Sequence, residues 1–146
     1  MNAVTDQRDF AGEGMYREHI LDHYKHPRNF GEWKTCSVSH KELNPVCGDQ
    51  LSFQLNMDEK GVVKDVRFSG QGCAISIASA SLLSDEIKGK TIDQINALSR
   101  DTVQELLGVT LGPSRLKCAM LSLDTVKNAC QIYQKYHAGG KKHGGH

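Results

Sequence analysis

The sequence predicts an α+β fold in which helices cover one face of a small antiparallel sheet. Residues 51–57 alternate between apolar and polar side chains, which is the pattern of a half-buried strand. The turn-rich stretch 58–61 leads to a second apolar run over 62–68, so the two runs predict a hairpin. A last helix over 115–136 carries an apolar stripe that can cover the apolar face of the sheet.

The remaining segments predict further helices and one more strand. The evidence is helical spacing of apolar residues, the position of proline and glycine, and residues that favour helix N-termini. The predictions are a helix over 15–26, a short edge strand over 34–40, a closely packed Ala/Ser-rich helix over 74–88, and two short helical pieces within 91–108 capped by Thr91 and by Ser99 or Asp101.

Length and charge limit the classes of function. A chain of 146 residues predicts one domain, which we place at 15–137, between a flexible segment (1–14) and a disordered Gly/Lys/His tail (138–146). The net charge of +1 gives no electrostatic basis for binding nucleic acid or an anionic membrane. The polar N-terminus does not resemble a signal peptide, and no apolar run reaches the roughly 20 residues of a membrane span. We therefore expect a cytoplasmic protein.

The five cysteines favour metal or sulfur chemistry over disulfide bonds. Their number is odd, their spacing is irregular, and the sequence shows no export signal. Cys130 lies on the apolar stripe of the last helix, so we expect it in the core, and we favour a packing role for Cys36 as well. The other three lie in loops or at predicted helix starts, and Cys47 and Cys73 each adjoin a glycine. These three are the candidate functional cysteines.

Cys47, Asp49, Cys73 and Cys118 form the predicted metal site. Three thiolates and one carboxylate suit a tetrahedral zinc ion, and they equally suit iron bridged by sulfide. The carboxylate is a harder and more easily displaced ligand, which favours a site that opens. Gly48 would let its two neighbours, Cys47 and Asp49, face a common point. Free N–H groups at a helix start would stabilise a thiolate at Cys73 and at Cys118.

The histidines of the first helix are weaker candidates. His19 and His23 lie one turn apart, but a single helix supplies only two ligands. We therefore expect these residues, and His26, to lie at the surface or to pack against other elements.

Four motifs resemble one known family. They are the opening helix and its HPRN end over 15–29, the run NPVCGD over 44–49, the run GQGC over 70–73, and the run RLKCA over 115–119. In this order they are similar to the IscU/SufU family of iron–sulfur cluster assembly proteins, which includes the N-terminal domain of NifU. The resemblance extends from about Met15 to about Tyr136. It implies a three-stranded sheet packed against about five helices, with the metal site at one exposed end.

The resemblance also implies a function. In this family a cysteine desulfurase of the IscS or SufS type passes persulfide sulfur to a cysteine, and the product reaches downstream cluster acceptor proteins. Cys47, Cys73 and Cys118 match the family's sulfur- and metal-handling cysteines. Asp49 matches its carboxylate ligand. Such a protein is a scaffold or sulfur acceptor rather than a conventional enzyme.

Two uses of the site occur in the family. IscU-type proteins assemble a [2Fe–2S] cluster and release it, whereas SufU-type proteins hold zinc and relay sulfur. IscU-type proteins have histidine directly before the last cysteine, where this chain has Lys117, and their chaperone-recognition stretch is replaced here by 111–115 (LGPSR). The stretch 90–118 is, however, too short to contain the insertion typical of SufU-type proteins. We give the ligand context more weight and favour the zinc-dependent relay.

Within that hypothesis the four residues have different roles. Cys47 is the sulfur acceptor because it lies in a turn rather than on a helix. Cys73 and Cys118 anchor the ion. Asp49 is the labile fourth ligand.

Other interpretations stay open at this point. A zinc-stabilised interaction module without sulfur chemistry would use the same ligands for folding alone. A cysteine enzyme would need a histidine base near Cys47 or Cys118, and none is near either in sequence. A cluster bridging two chains would make a homodimer.

Overall fold

The structure, a computed structural model, describes residues 14–45 and 48–142. Two predicted segments lie largely or partly outside this part of the chain: the flexible segment 1–14, except for its last residue, and residues 143–146 of the tail. The described residues form five helices and three strands. In chain order these are α1 (Gly14–Lys25), β1 (Val38–Asn44), β2 (Asp49–Met57), β3 (Val63–Gln71), α2 (Ala74–Glu86), α3 (Ile92–Asn96), α4 (Arg100–Leu107) and α5 (Pro113–Lys142).

The sheet is antiparallel in the order β1–β2–β3, so each strand pairs with its neighbour in sequence. The predicted alternation along β2 is confirmed: Leu51, Phe53 and Leu55 are fully buried, and the residues between them are partly exposed. Phe53 lies opposite Phe68 of β3, and their rings stack with centroids 5.6 Å apart. Helix α5 packs on β1 and β2, and α2 packs on β3. The predicted α+β fold is therefore confirmed.

The strand boundaries differ from the prediction. Strand β1 occupies Val38–Asn44 instead of 34–40, and its mostly polar side chains alternate between exposed and partly or fully buried. An edge strand is held by backbone hydrogen bonds to its neighbour, so apolar residues do not mark its ends. Strand β2 begins at Asp49 rather than at residue 51, and β3 ends at Gln71 rather than at residue 68. The sheet therefore reaches the residues beside the candidate cysteines.

Helix α5 begins at Pro113, two residues earlier than predicted. Proline is favoured at the first helical position because the N–H it lacks has no partner within the helix there. Cys118 therefore lies in the second turn, and its predicted place at the helix start is wrong. The helix is described as far as Lys142, beyond the predicted end at 136. None of the described helices combines the length and the apolar character needed to cross a membrane.

The two short helices have the expected N-caps. Thr91 precedes α3, and its hydroxyl accepts the N–H of Gln94 at 3.2 Å. Ser99, rather than Asp101, precedes α4. Gly108 ends α4 with a left-handed φ of 79°, which glycine adopts without steric cost.

Polar contacts fix α1 against α2. His23 is buried, and its Nδ1 lies 2.7 Å from the hydroxyl of Ser81. The same hydroxyl accepts the backbone N–H of Arg28 at 2.9 Å. Asn29, which has a left-handed φ of 59°, donates to the hydroxyl of Ser84 at 2.8 Å. The serines of α2 thus anchor both α1 and the turn that follows it.

Replacing Gly70 by alanine should destabilise the fold more than replacing Gly61. Both glycines have positive φ, 138° and 80°, so alanine at either costs about 1–3 kcal/mol through the backbone alone. At residue 70 a Cβ would also lie 2.1 Å from the carbonyl oxygen of Gln50, whereas at residue 61 nothing lies within 4 Å. We expect Gly70→Ala to lose at least about 1 kcal/mol more unfolding free energy in urea denaturation. Equal losses would contradict this close approach.

The stability should depend on the protonation of His23. Burial, helped by the charges of Arg28 and His19, lowers the pKa of its imidazole below the usual 6.5, although Asp22 and Asp85 act in the opposite direction. The unfolded chain therefore binds this proton more readily than the folded chain does. The free energy of unfolding should fall as the pH drops through about 6.5, and this contribution should level off below the folded-state pKa.

Urea denaturation between about pH 5 and pH 7.5 measures this dependence. The variant His23→Gln should lack the pH dependence that protonation of His23 causes, so its unfolding free energy should change less over this range. An unchanged pH profile in the variant would show that another group is responsible.

Candidate metal centre

Three of the four predicted ligands come together at one end of the sheet. Asp49 is the first residue of β2, Cys73 directly precedes α2, and Cys118 lies on α5. Their ligand atoms, one carboxylate oxygen and two sulfur atoms, all lie within 4.8 Å of one another. This is the one group of three or more potential metal ligands within the described part of the chain. Cys47, the fourth predicted ligand, lies outside the described residues.

The start of β2 places Asp49 inside the protein. Asp49 pairs with Asn44 across the sheet and is only 4% exposed, so it belongs to the strand and not to the connection that precedes it. Four residues, 45–48, connect the two strands. The N–H of Gly48 donates to the carbonyl of Asn44 at 2.8 Å, and Gly48 has a left-handed φ of 74°. Glycine adopts this backbone conformation without steric cost.

Cys73 and Cys118 differ in their local structure. Cys73 is exposed and has an extended backbone immediately before α2, where the free N–H groups of the first turn favour a negatively charged ligand. Its sulfur lies 3.8 Å from Asp49 Oδ2. Cys118 is partly buried in the second turn of α5, so the predicted support from a helix start applies to Cys73 alone.

Ser76 lies among these residues, although the sequence interpretation assigned the serines of this helix to packing. It is fully buried. Its hydroxyl donates to Asp49 Oδ2 at 2.5 Å and lies 3.2 Å from the carbonyl oxygen of Cys118. The available signal was its spacing: Ser76 follows Cys73 by three residues, so both lie on the same face of the helix start.

Gly72 makes room for the carboxylate. A Cβ at residue 72 would lie 2.9 Å from Cγ and 3.1 Å from Oδ1 of Asp49, and 3.1 Å from Cβ of Ser76. The glycine at this position therefore admits the side chain of Asp49.

The donor set fits a thiolate-bound metal ion. A tetrahedral zinc ion with bonds of about 2.0–2.3 Å needs ligand atoms about 3.3–3.8 Å apart. The 3.8 Å between Cys73 Sγ and Asp49 Oδ2 meets this requirement. The upper limit of 4.8 Å for distances within the group exceeds this spacing by about 1 Å, and rotation of the two cysteine side chains can close the difference. Two thiols and one carboxylate leave one position of a tetrahedron, which is the predicted place of Cys47.

The other cysteines and the histidines of α1 lie outside this group. Cys36 is partly buried. Cys130 is fully buried, as predicted, and burial raises the pKa of its thiol to about 11, so it stays a protonated core side chain. Neither thiol competes with the candidate metal centre.

Comparisons with known proteins identify the family. Residues 15–139 match the NifU-like N-terminal domain. Iron-sulfur cluster assembly protein 2 of Arabidopsis thaliana is 35% identical over 135 residues, which cover 87% of this chain and 78% of that protein. The iron-sulfur cluster assembly scaffold protein IscU of Escherichia coli (strain K12) is 33% identical over 127 residues, which cover 82% of this chain and 94% of that protein.

A solved structure agrees with these relatives. It is that of SufU from Fervidobacterium islandicum, named as an iron–sulfur cluster assembly scaffold protein for the SUF system. It superposes with a TM-score of 0.67 at 26% identity, covering 77% of this chain and 94% of that one. The chain therefore belongs to the NifU-like N-terminal domain family, as the motifs around its cysteines predict.

Proposed function

We propose that this protein acts in iron–sulfur cluster assembly by accepting persulfide sulfur from a cysteine desulfurase. The observation that carries the proposal is the group of Asp49, Cys73 and Cys118, whose ligand atoms lie within 4.8 Å of one another. The names of its relatives, which are cluster assembly proteins and scaffolds, support the same class of function.

The form we favour is a zinc-dependent sulfur relay. Cys47, Asp49, Cys73 and Cys118 would hold the ion. Bound zinc would keep the thiolates from oxidation until a partner opens the site. Asp49 is the ligand most easily displaced, because a carboxylate oxygen binds zinc less strongly than a thiolate does. Lys117, in the position before the last cysteine, supports the SufU-like form.

Cys47 is the proposed acceptor. It precedes Gly48 in the connection between β1 and β2, whereas Cys73 and Cys118 are fixed at or within helices. The Cys47 thiolate attacks the outer sulfur of the persulfide on the desulfurase, and a new S–S bond forms as the old one breaks. The desulfurase cysteine leaves as a thiolate, and Cys47 becomes the persulfide. The exchange is balanced and needs no external oxidant or reductant.

The second candidate is an IscU-type scaffold. The scaffold names of the relatives favour it. In this function a [2Fe–2S] cluster is the cargo that the same four residues hold and release to acceptor proteins. Sharing of the cluster between two chains would make the protein a homodimer. In either form we propose a cytoplasmic location, where such thiols stay reduced.

Replacing Cys47 by serine should abolish persulfide labelling and stimulation of the desulfurase. The serine hydroxyl is not ionised at neutral pH and cannot carry the transferred sulfur. The measurement is gel-based persulfide labelling, together with the rate of sulfide release by a purified desulfurase in the presence of the protein.

Cys36→Ser is the matched control, since this cysteine lies outside the candidate metal centre. It should keep both activities. If Cys47→Ser fully retained persulfide labelling and stimulation of the desulfurase, Cys47 would not be the sulfur acceptor. A protein that folds only with zinc, and on which no desulfurase acts, would instead be a zinc-stabilised interaction module.

A further inference from the structure

The carboxylate of Asp49 is buried and therefore needs polar partners. It is 4% exposed at the start of β2. A carboxylate removed from water is costly unless it is paired or hydrogen-bonded. Ser76 supplies such a bond: its hydroxyl donates to Oδ2 at 2.5 Å. A hydrogen bond to an ionised acceptor is shorter and stronger than one between neutral groups.

The single hydroxyl hydrogen of Ser76 is directed mainly to Asp49. The carbonyl oxygen of Cys118 is a second acceptor, but it lies farther away, at 3.2 Å. The sulfur of Cys73 lies 3.7 Å from the same hydroxyl oxygen. One buried hydroxyl thus contacts all three candidate ligand residues, which come from β2, α5 and the start of α2.

Gly72 lies against the carboxylate of Asp49. A Cβ at residue 72 would lie only 2.9 Å from Asp49 Cγ, so this close approach needs glycine. The carboxylate therefore lies between Gly72 and Ser76, with Oδ2 held by the hydroxyl and 3.8 Å from Cys73 Sγ. Rotation of the side chain would break this hydrogen bond.

We propose that Ser76 is a positioning residue for the metal centre. Its hydrogen bond to Oδ2 fixes the Asp49 carboxylate toward the two thiols, so that the protein presents a preformed set of ligands. This inference rests on the proposed function, because it requires that Asp49 bind the metal. Loss of a residue that orients a ligand typically weakens metal affinity about 10- to 100-fold.

Ser79 provides the matched control on the same helix. It is 1% exposed, and its hydroxyl donates to backbone carbonyls, at 2.7 Å for Ile75 and 3.2 Å for Ser76. Ser79→Ala therefore removes an equally buried serine hydroxyl from α2, but not one that contacts a candidate ligand.

The test is titration of the full-length metal-free protein with Co²⁺, whose visible absorption reports both affinity and ligand geometry. Ser76→Ala should weaken Co²⁺ binding about 10- to 100-fold and shift the visible bands of the bound ion. Ser79→Ala should bind within about twofold of the original protein and give an unchanged spectrum. Equal affinity and spectrum for the two variants would overturn the positioning role.

A double-mutant cycle separates positioning from general damage to the helix. Ser76→Ala should have little further effect in an Asp49→Asn background, because the carboxylate that it positions is already gone. The same loss in both backgrounds would assign the effect to the contact with Cys118 or to packing, and would overturn the inference alone. Failure of the original protein to bind Co²⁺ would contradict the proposed function as well.

Discussion

The buried carboxylate of Asp49 is the constraint on which the candidate site depends. A charge at this position requires a donor within the protein, a strand that holds its backbone, and space for its side chain. Ser76 provides the donor, pairing with Asn44 holds the strand, and Gly72 provides the space. Each of these lies on a different segment, so the site forms only when the sheet and α2 are assembled.

The fold meets this requirement by bringing helices to one end of a rigid sheet. Phe53 and Phe68 fix the register of β2 and β3, and α2 and α5 pack over their buried face. The candidate ligands then lie where these elements end or cross, with Cys73 exposed at the edge and Asp49 buried beside it. A site at such an edge can be opened by a partner without unfolding the domain, since the large apolar residues lie elsewhere. This location suits the proposed transfer of sulfur or a cluster.

Local sequence signals predicted most of the fold. Strict alternation identified β2, and cap residues such as Thr91 and Ser99 identified the short helices, because these signals act within a few residues. The extension of β2 to Asp49 depends on pairing with Asn44, which local periodicity does not encode. Likewise, α5 begins at Pro113 rather than at the predicted residue 115, so Cys118 lies one turn inside the helix. Ser76 was missed because its contacts, with Asp49 and Cys118, join parts of the chain that are distant in sequence.

The metal and acid-labile sulfide content of anaerobically purified protein distinguishes the zinc-dependent relay from the scaffold. For the relay we expect about one zinc per chain without sulfide. We also expect loss of that zinc in Cys73→Ser and its retention in Cys36→Ser, which distinguishes this site from the histidines near the C-terminus. Iron with matching sulfide would contradict the relay and favour the scaffold. Zinc that stays bound in Cys73→Ser would contradict the metal centre itself.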